Sequence, residues 1–99
     1  MTNVNMDLVN KAIENIDRDR LVKLVMDLVD IPSPTGYEGD VARALNEVLN
    51  SSECGMKSVI QPIGDERYNT LGRLQGQGGG RSLMFNGHLD TSFGPEQAH

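Results

Sequence analysis

Two side chains near the carboxyl end of the sequence, His88 and Asp90, have the types and spacing for metal chemistry. They follow Leu83-Met84-Phe85, a short apolar run with turn-forming residues on both sides, within residues 82–92. Such a run is the pattern of a strand buried on both faces of a sheet. In open α/β sheets, ligands bind beyond the carboxyl ends of the strands. A neutral imidazole placed there donates a ring nitrogen to Zn²⁺ at about 2.0 to 2.1 Å. A carboxylate on its other ring N–H fixes the tautomer and raises the basicity. Gly87 allows the backbone a close approach at that point. His88 is thus a candidate metal ligand and Asp90 the candidate carboxylate that orients it. The alternative is a strand-end histidine bonded to a nearby carboxylate for structure alone. One imidazole does not complete a catalytic zinc site, which takes about three protein ligands and a position for water. The further candidates are Asp65, Glu66, Glu96 and His99, and none has the spacing of a ligand set. A single histidine suits Zn, Co or Ni alike.

The elements that would position this pair are helices first and strands after. Leu8, Val9, Ala12, Ile13 and Ile16 recur at helical spacing, and Asp17 offers a side-chain acceptor for a second helical start, unless the two stretches run together. Leu21, Leu24, Val25 and Leu28 repeat the stripe, widened by Val22, Met26 and Val29 and backed by Asp19, Arg20, Lys23, Asp27 and Asp30. This predicts an amphipathic helix packed on an apolar partner. Residues 31–34, Ile-Pro-Ser-Pro, end it, because the residue before a proline is pushed out of the α region. Thr35 with Glu38 three positions on matches a capping box, opening a helix through Val41, Ala42, Leu45, Val48 and Leu49. On that reading Ser33, Thr35 and Glu38 are loop and cap residues without a catalytic part. Strands are expected over 56–63, with Pro62 marking an edge or an end, over 68–75, and over 81–86. The glycines of 76–80 make a connection rather than a phosphate cradle, since no Gly-Lys-Ser/Thr ending or helix follows.

Ninety-nine residues allow one small domain, which buries only about 60 to 65% of the surface its unfolded chain exposes. With 37% hydrophobic and 23% charged residues the composition is that of a globular chain. The net charge of -5 and the interleaving of Arg18, Arg20 and Lys23 with Asp17, Asp19 and Asp27 exclude the basic face that nucleic acid requires. The single cysteine, Cys54, has no partner for an internal disulfide and fits a reducing compartment. Residues 1–10 lack the apolar core of a secretory signal, and no apolar run approaches the roughly 20 residues that span a bilayer. The expectation is a soluble, cytoplasmic chain with neither nucleic acid nor membrane as a partner.

Three segments taken together have a familiar order and spacing: Ile31-Pro32-Ser33-Pro34-Thr35-Gly36-Tyr37-Glu38, Tyr68-Asn69-Thr70-Leu71-Gly72-Arg73-Leu74 and Asn86-Gly87-His88-Leu89-Asp90-Thr91. They resemble the N-terminal part of the zinc-dependent exopeptidases and deacylases that include acetylornithine deacetylase, succinyl-diaminopimelate desuccinylase, aminoacylase and the glutamate carboxypeptidases. The resemblance covers roughly residues 16–94, with Pro34 at a loop position where the family varies. It implies an α/β fold: the N-terminal part of a zinc-exopeptidase-like catalytic domain, two or three helices followed by about three strands of a mixed sheet. It also implies His88 as the first metal-ligand histidine and Asp90 as an active-site carboxylate. The family holds two zinc ions, with cobalt or manganese as substitutes, and often forms homodimers through an inserted domain. It hydrolyses amides of N-acyl amino acids or short peptides, with a Glu as general base. The family's bridging Asp, general-base Glu and later ligands lie downstream of the His-x-Asp motif, and this sequence stops before them. Residues 1–99 are therefore expected to be a partial catalytic domain from a truncated or interrupted frame, inactive alone and exposing apolar surface. The alternative is a non-enzymatic binding or assembly module derived from the hydrolase start.

Overall fold

The structure is a computed structural model that describes residues 4–91. Three helices precede one hairpin: α1 (Met6–Glu14), α2 (Arg18–Val29), α3 (Gly39–Asn50), β1 (Lys57–Gly64) and β2 (Arg67–Arg73). The first two helices are separate, and each starts on a capping side chain. Asn5 accepts from the backbone N–H groups of Asp7 and Leu8, and Asp17 accepts from that of Arg20. Each cap satisfies donors that the first turn of a helix leaves without partners.

The core lies between α3 and the hairpin. Val41 and Ala42 are its buried apolar residues, at 4% and 0% exposure. The hairpin is antiparallel, with Val59 opposite Leu71 and Ile60 opposite Thr70. Its register shifts between Pro62 and Gly64, where the ladder meets a residue that has no N–H to give. The turn is closed by Asp65 and Glu66, the latter in the left-handed region at φ 57°. Polar contacts hold helix to hairpin at both ends. The Asn50 amide exchanges two hydrogen bonds with the backbone of Ser58, and the Thr70 hydroxyl donates to the Ala42 carbonyl. The guanidinium of Arg43 on α3 lies 4.8 Å from the centre of the Tyr68 ring. Gly72 lets β2 come close to the helix: a Cβ there would stand 2.8 Å from a Leu49 methyl.

Two expectations are corrected here. Residues 81–86 do not form the third strand, so the sheet has two strands, antiparallel rather than mixed. Leu83, Met84 and Phe85 are 78%, 86% and 89% exposed. A doubly buried strand needs neighbours in the sheet and cover on both faces, and nothing among the described residues supplies either. The capping box is also absent. α3 starts at Gly39 without a side-chain cap, and Thr35 and Glu38 bond elsewhere.

The helical stripes have the expected spacing but little to pack on. α2 touches α3 only lightly, and among the described residues α1 packs on no other element. Leu8, Ile13, Leu21, Val25 and Val29 are exposed. The radius of gyration is 16.3 Å, against about 13 Å for a compact domain of this length. Among the described residues no helix is long and apolar enough to cross a membrane. With so small a core, one side chain carries much of the stability. Val41→Ala should cost about 2 kcal/mol from lost burial and the cavity left behind, read as a lower urea midpoint. The same substitution at exposed Val22 should shift that midpoint little.

Candidate functional site

Residues 88–91 belong to neither strand of the hairpin, yet they are held in place. An isolated parallel bridge joins Pro34 to Thr91. The Thr91 N–H donates to the Ser33 carbonyl at 2.8 Å, and the Ser33 hydroxyl donates to the Leu89 carbonyl at 3.1 Å. Ser33 is buried, so these two bonds are shielded from water. They bring the 31–38 loop against the His-x-Asp segment.

That loop has a defined shape. The Tyr37 N–H donates to the Pro34 carbonyl at 2.8 Å, closing a four-residue turn. Gly36, in its third position, has φ +95°, the conformation a type II turn requires there and a side chain resists. Thr35 occupies the second position, and its hydroxyl donates to Asp90 Oδ2 at 2.7 Å. At the far end of the loop, Glu38 is only 6% exposed. It accepts the Gly36 N–H at 2.8 Å and two bonds from the Arg67 guanidinium, at 3.1 and 3.2 Å. The bond from Arg67, followed by that from Gly36, holds the Glu38 carboxyl below its ordinary pKa.

At the centre, His88 Nδ1 faces two oxygens of Asp90: the backbone carbonyl at 2.9 Å and Oδ1 at 3.2 Å. Two acceptors on one nitrogen assign the proton to Nδ1 and leave the lone pair on Nε2. The ring is 84% exposed, whereas the Asp90 side chain is 34% exposed. The Asp90 carboxyl is held below its ordinary pKa, chiefly by the Thr35 hydrogen bond and then by the nearby imidazole. The arrangement can present one imidazole to an electrophile, with a carboxylate and a carbonyl holding its Nδ1.

As a metal centre it offers one donor. Among the described residues no group of three or more His, Cys, Asp or Glu side chains could hold a metal ion. Asp65 and Glu66 belong to the hairpin turn, and Glu66 pairs with Arg43 at 3.6 Å. Glu96 and His99 lie outside the described residues. The tautomer of His88 nevertheless fits a zinc ligand. The group around it that spacing did not reveal is Ser33, Thr35, Glu38 and Arg67. Pro34 and Gly36 carry a turn signal that could have argued against the cap, but Glu38 and Arg67 are 29 positions apart, with no local pattern to join them.

A protein of Pyrococcus abyssi (strain GE5 / Orsay), provisionally named a LysW-lysine/LysW-ornithine hydrolase, is 36% identical to this chain over 76 residues. The match covers 77% of the chain and 20% of that protein, so the chain spans about a fifth of its relative's length. This similarity supports an origin among hydrolases. No protein-family pattern and no solved structure matches the chain.

The lowered carboxyl of Glu38 links the loop to acid stability. A group whose pKa is depressed by folding stabilises the fold above its unfolded value, about 4.3 for Glu, and loses that contribution as pH falls through the folded value. The urea midpoint should therefore drop as pH falls below about 5. Glu38→Gln should start lower at neutral pH and show a shallower acid limb, with the remainder due partly to Asp90. An acid limb of undiminished depth in Glu38→Gln would assign it to other groups.

Proposed function

We propose that this chain supplies the first metal-binding imidazole of a metal-dependent hydrolase acting on amide bonds of N-acyl amino acids or short peptides. The supporting observation is the state of His88. Its Nδ1 is held by the carbonyl and the carboxylate of Asp90, and its Nε2 stands on an exposed ring. Zinc is the metal proposed, in a pair as in the resembling deacylases and carboxypeptidases, with cobalt or manganese as substitutes. Bound there, such a metal would supply a polarised carbonyl and an acidified water. The chain's own contribution is to bind through His88 Nε2, to hold the proton on Nδ1 and to keep the ring oriented through Asp90. The general base and the remaining ligands belong, on this reading, to polypeptide outside these 99 residues. The similarity to the archaeal hydrolase supports the reading, because it extends over a fifth of a much longer protein. Homodimer formation, a cytoplasmic location and the small acylated substrate are part of the same proposal. A non-enzymatic assembly module is the second reading, favoured by the exposure of Leu83, Met84 and Phe85.

Titration of the chain with zinc, followed on the His88 ring by NMR, separates these readings. The expected result is weak binding at Nε2, lost in His88→Ala and weakened about 10- to 100-fold in Asp90→Ala. The chain alone should release no amino acid from N-acetyl substrates with zinc present. Binding that His88→Ala leaves intact would overturn the assignment of His88. Metal-dependent hydrolysis by the 99 residues would show that the base lies within them.

A further inference from the structure

We infer that Thr35 is a positioning residue for the Asp90–His88 pair: its hydroxyl holds the Asp90 carboxylate in the orientation that faces His88 Nδ1. The geometry divides the carboxylate between two partners. Oδ2 accepts from Thr35 at 2.7 Å, and Oδ1 faces the imidazole at 3.2 Å. A carboxylate with one oxygen fixed by a donor from the loop loses the freedom to swing its other oxygen away from the ring.

The loop is built to keep that donor in place. The turn closed by Pro34 and Tyr37, with Gly36 at positive φ, presents Thr35 at its second position. Ser33 on one side is bonded to the backbone of Leu89 and Thr91, and Glu38 on the other is clamped by Arg67. The hydroxyl is also not engaged as a helix cap, since α3 has no side-chain cap. Thr35 itself is exposed, so its methyl group fills no core and a substitution there leaves the packing intact. The hydroxyl of Ser can do the same work, and the isosteric side chain of Val cannot.

The inference rests on His88 acting as an imidazole donor, but its test uses the metal-free chain. A failed zinc titration and a failed tautomer measurement are therefore distinguishable. The ring nitrogens of His88 in ¹⁵N-labelled chain report the ratio of Nδ1–H to Nε2–H tautomers, read at about pH 8, above the ordinary imidazole range. In Thr35→Val that ratio should fall about fivefold, the factor that one hydrogen bond of ordinary net strength represents. The Asp90 carbonyl remains as an acceptor, so the preference should weaken rather than vanish. Thr35→Ser should keep the ratio within about twofold of the parent, well inside that same factor. The Thr91 amide, which reports the bond to Ser33, should keep its position in both variants. An unchanged ratio in Thr35→Val, or an equal fall in Thr35→Ser, would overturn the inference. If Thr35→Val moves the Thr91 amide, the Asp90→Ala background decides. There the substitution should leave the ratio as it was, and a further fall would mean that Thr35 acts by some other route.

Discussion

The pair between Glu38 and Arg67 is the contact on which the candidate site depends. It joins the 31–38 loop to the hairpin across 29 positions of sequence, with both guanidinium bonds falling on one largely buried carboxylate. Bidentate Arg–carboxylate geometry fixes orientation as well as distance. Glu38 also closes on the Gly36 N–H, so one side chain sets both where the loop sits and how it turns. The proximity of Asp90 adds a favourable charge for Arg67, after the larger contribution from Glu38. Loop, hairpin and His-x-Asp segment are thereby linked by charge and hydrogen bonds, while the buried apolar residues among those described are Val41 and Ala42.

Local pattern made the helices legible, and distant pairing hid the site. The stripes Leu8 to Ile16 and Leu21 to Leu28 predicted helix over α1 and α2, because periodicity acts within a few residues, and of the two readings left open at Asp17 the structure has the separate helical start. The two strands around residues 64–67 were legible for the same reason: turn residues flanked by β-formers. Thr35 and Glu38 were misassigned because a capping box needs only the two residue types at the right spacing. Their actual partners, Asp90 and Arg67, come from segments brought together by the fold. The apolar run Leu83-Met84-Phe85 has the composition of a buried strand, but composition does not provide neighbours. The contact between His88 and Asp90 was legible from their spacing and chemistry, while the bonds that Ser33 and Thr35 make to this segment were not.

The exposed apolar surface is a physical consequence of the same shortage of neighbours. Two strands and one helix enclose a single small core, and the stripes of α1 and α2 together with Leu83, Met84 and Phe85 are left facing solvent. Exposed apolar surface of this extent, well above single scattered residues, marks interaction surface or a tendency to associate. The site escapes the consequences because its order does not derive from burial of that surface. Ser33, Thr35 and Glu38 each act through a hydrogen bond to a named partner.

The two oxygens of the Asp90 carboxylate also constrain its role. One is taken by the Thr35 hydroxyl and the other faces the ring N–H of His88, so in this arrangement the group orients an imidazole rather than reaching outward itself. A carboxylate used in that way fixes the orientation of the ring. The exposure of the two groups fits that division, with the ring outward at 84% and the carboxylate more than half shielded at 34%. This edge of the fold therefore presents one prepared imidazole, backed by a carboxylate. Its preparation depends on a loop whose turn, backbone bonds and ion pair all fix where the Thr35 hydroxyl points.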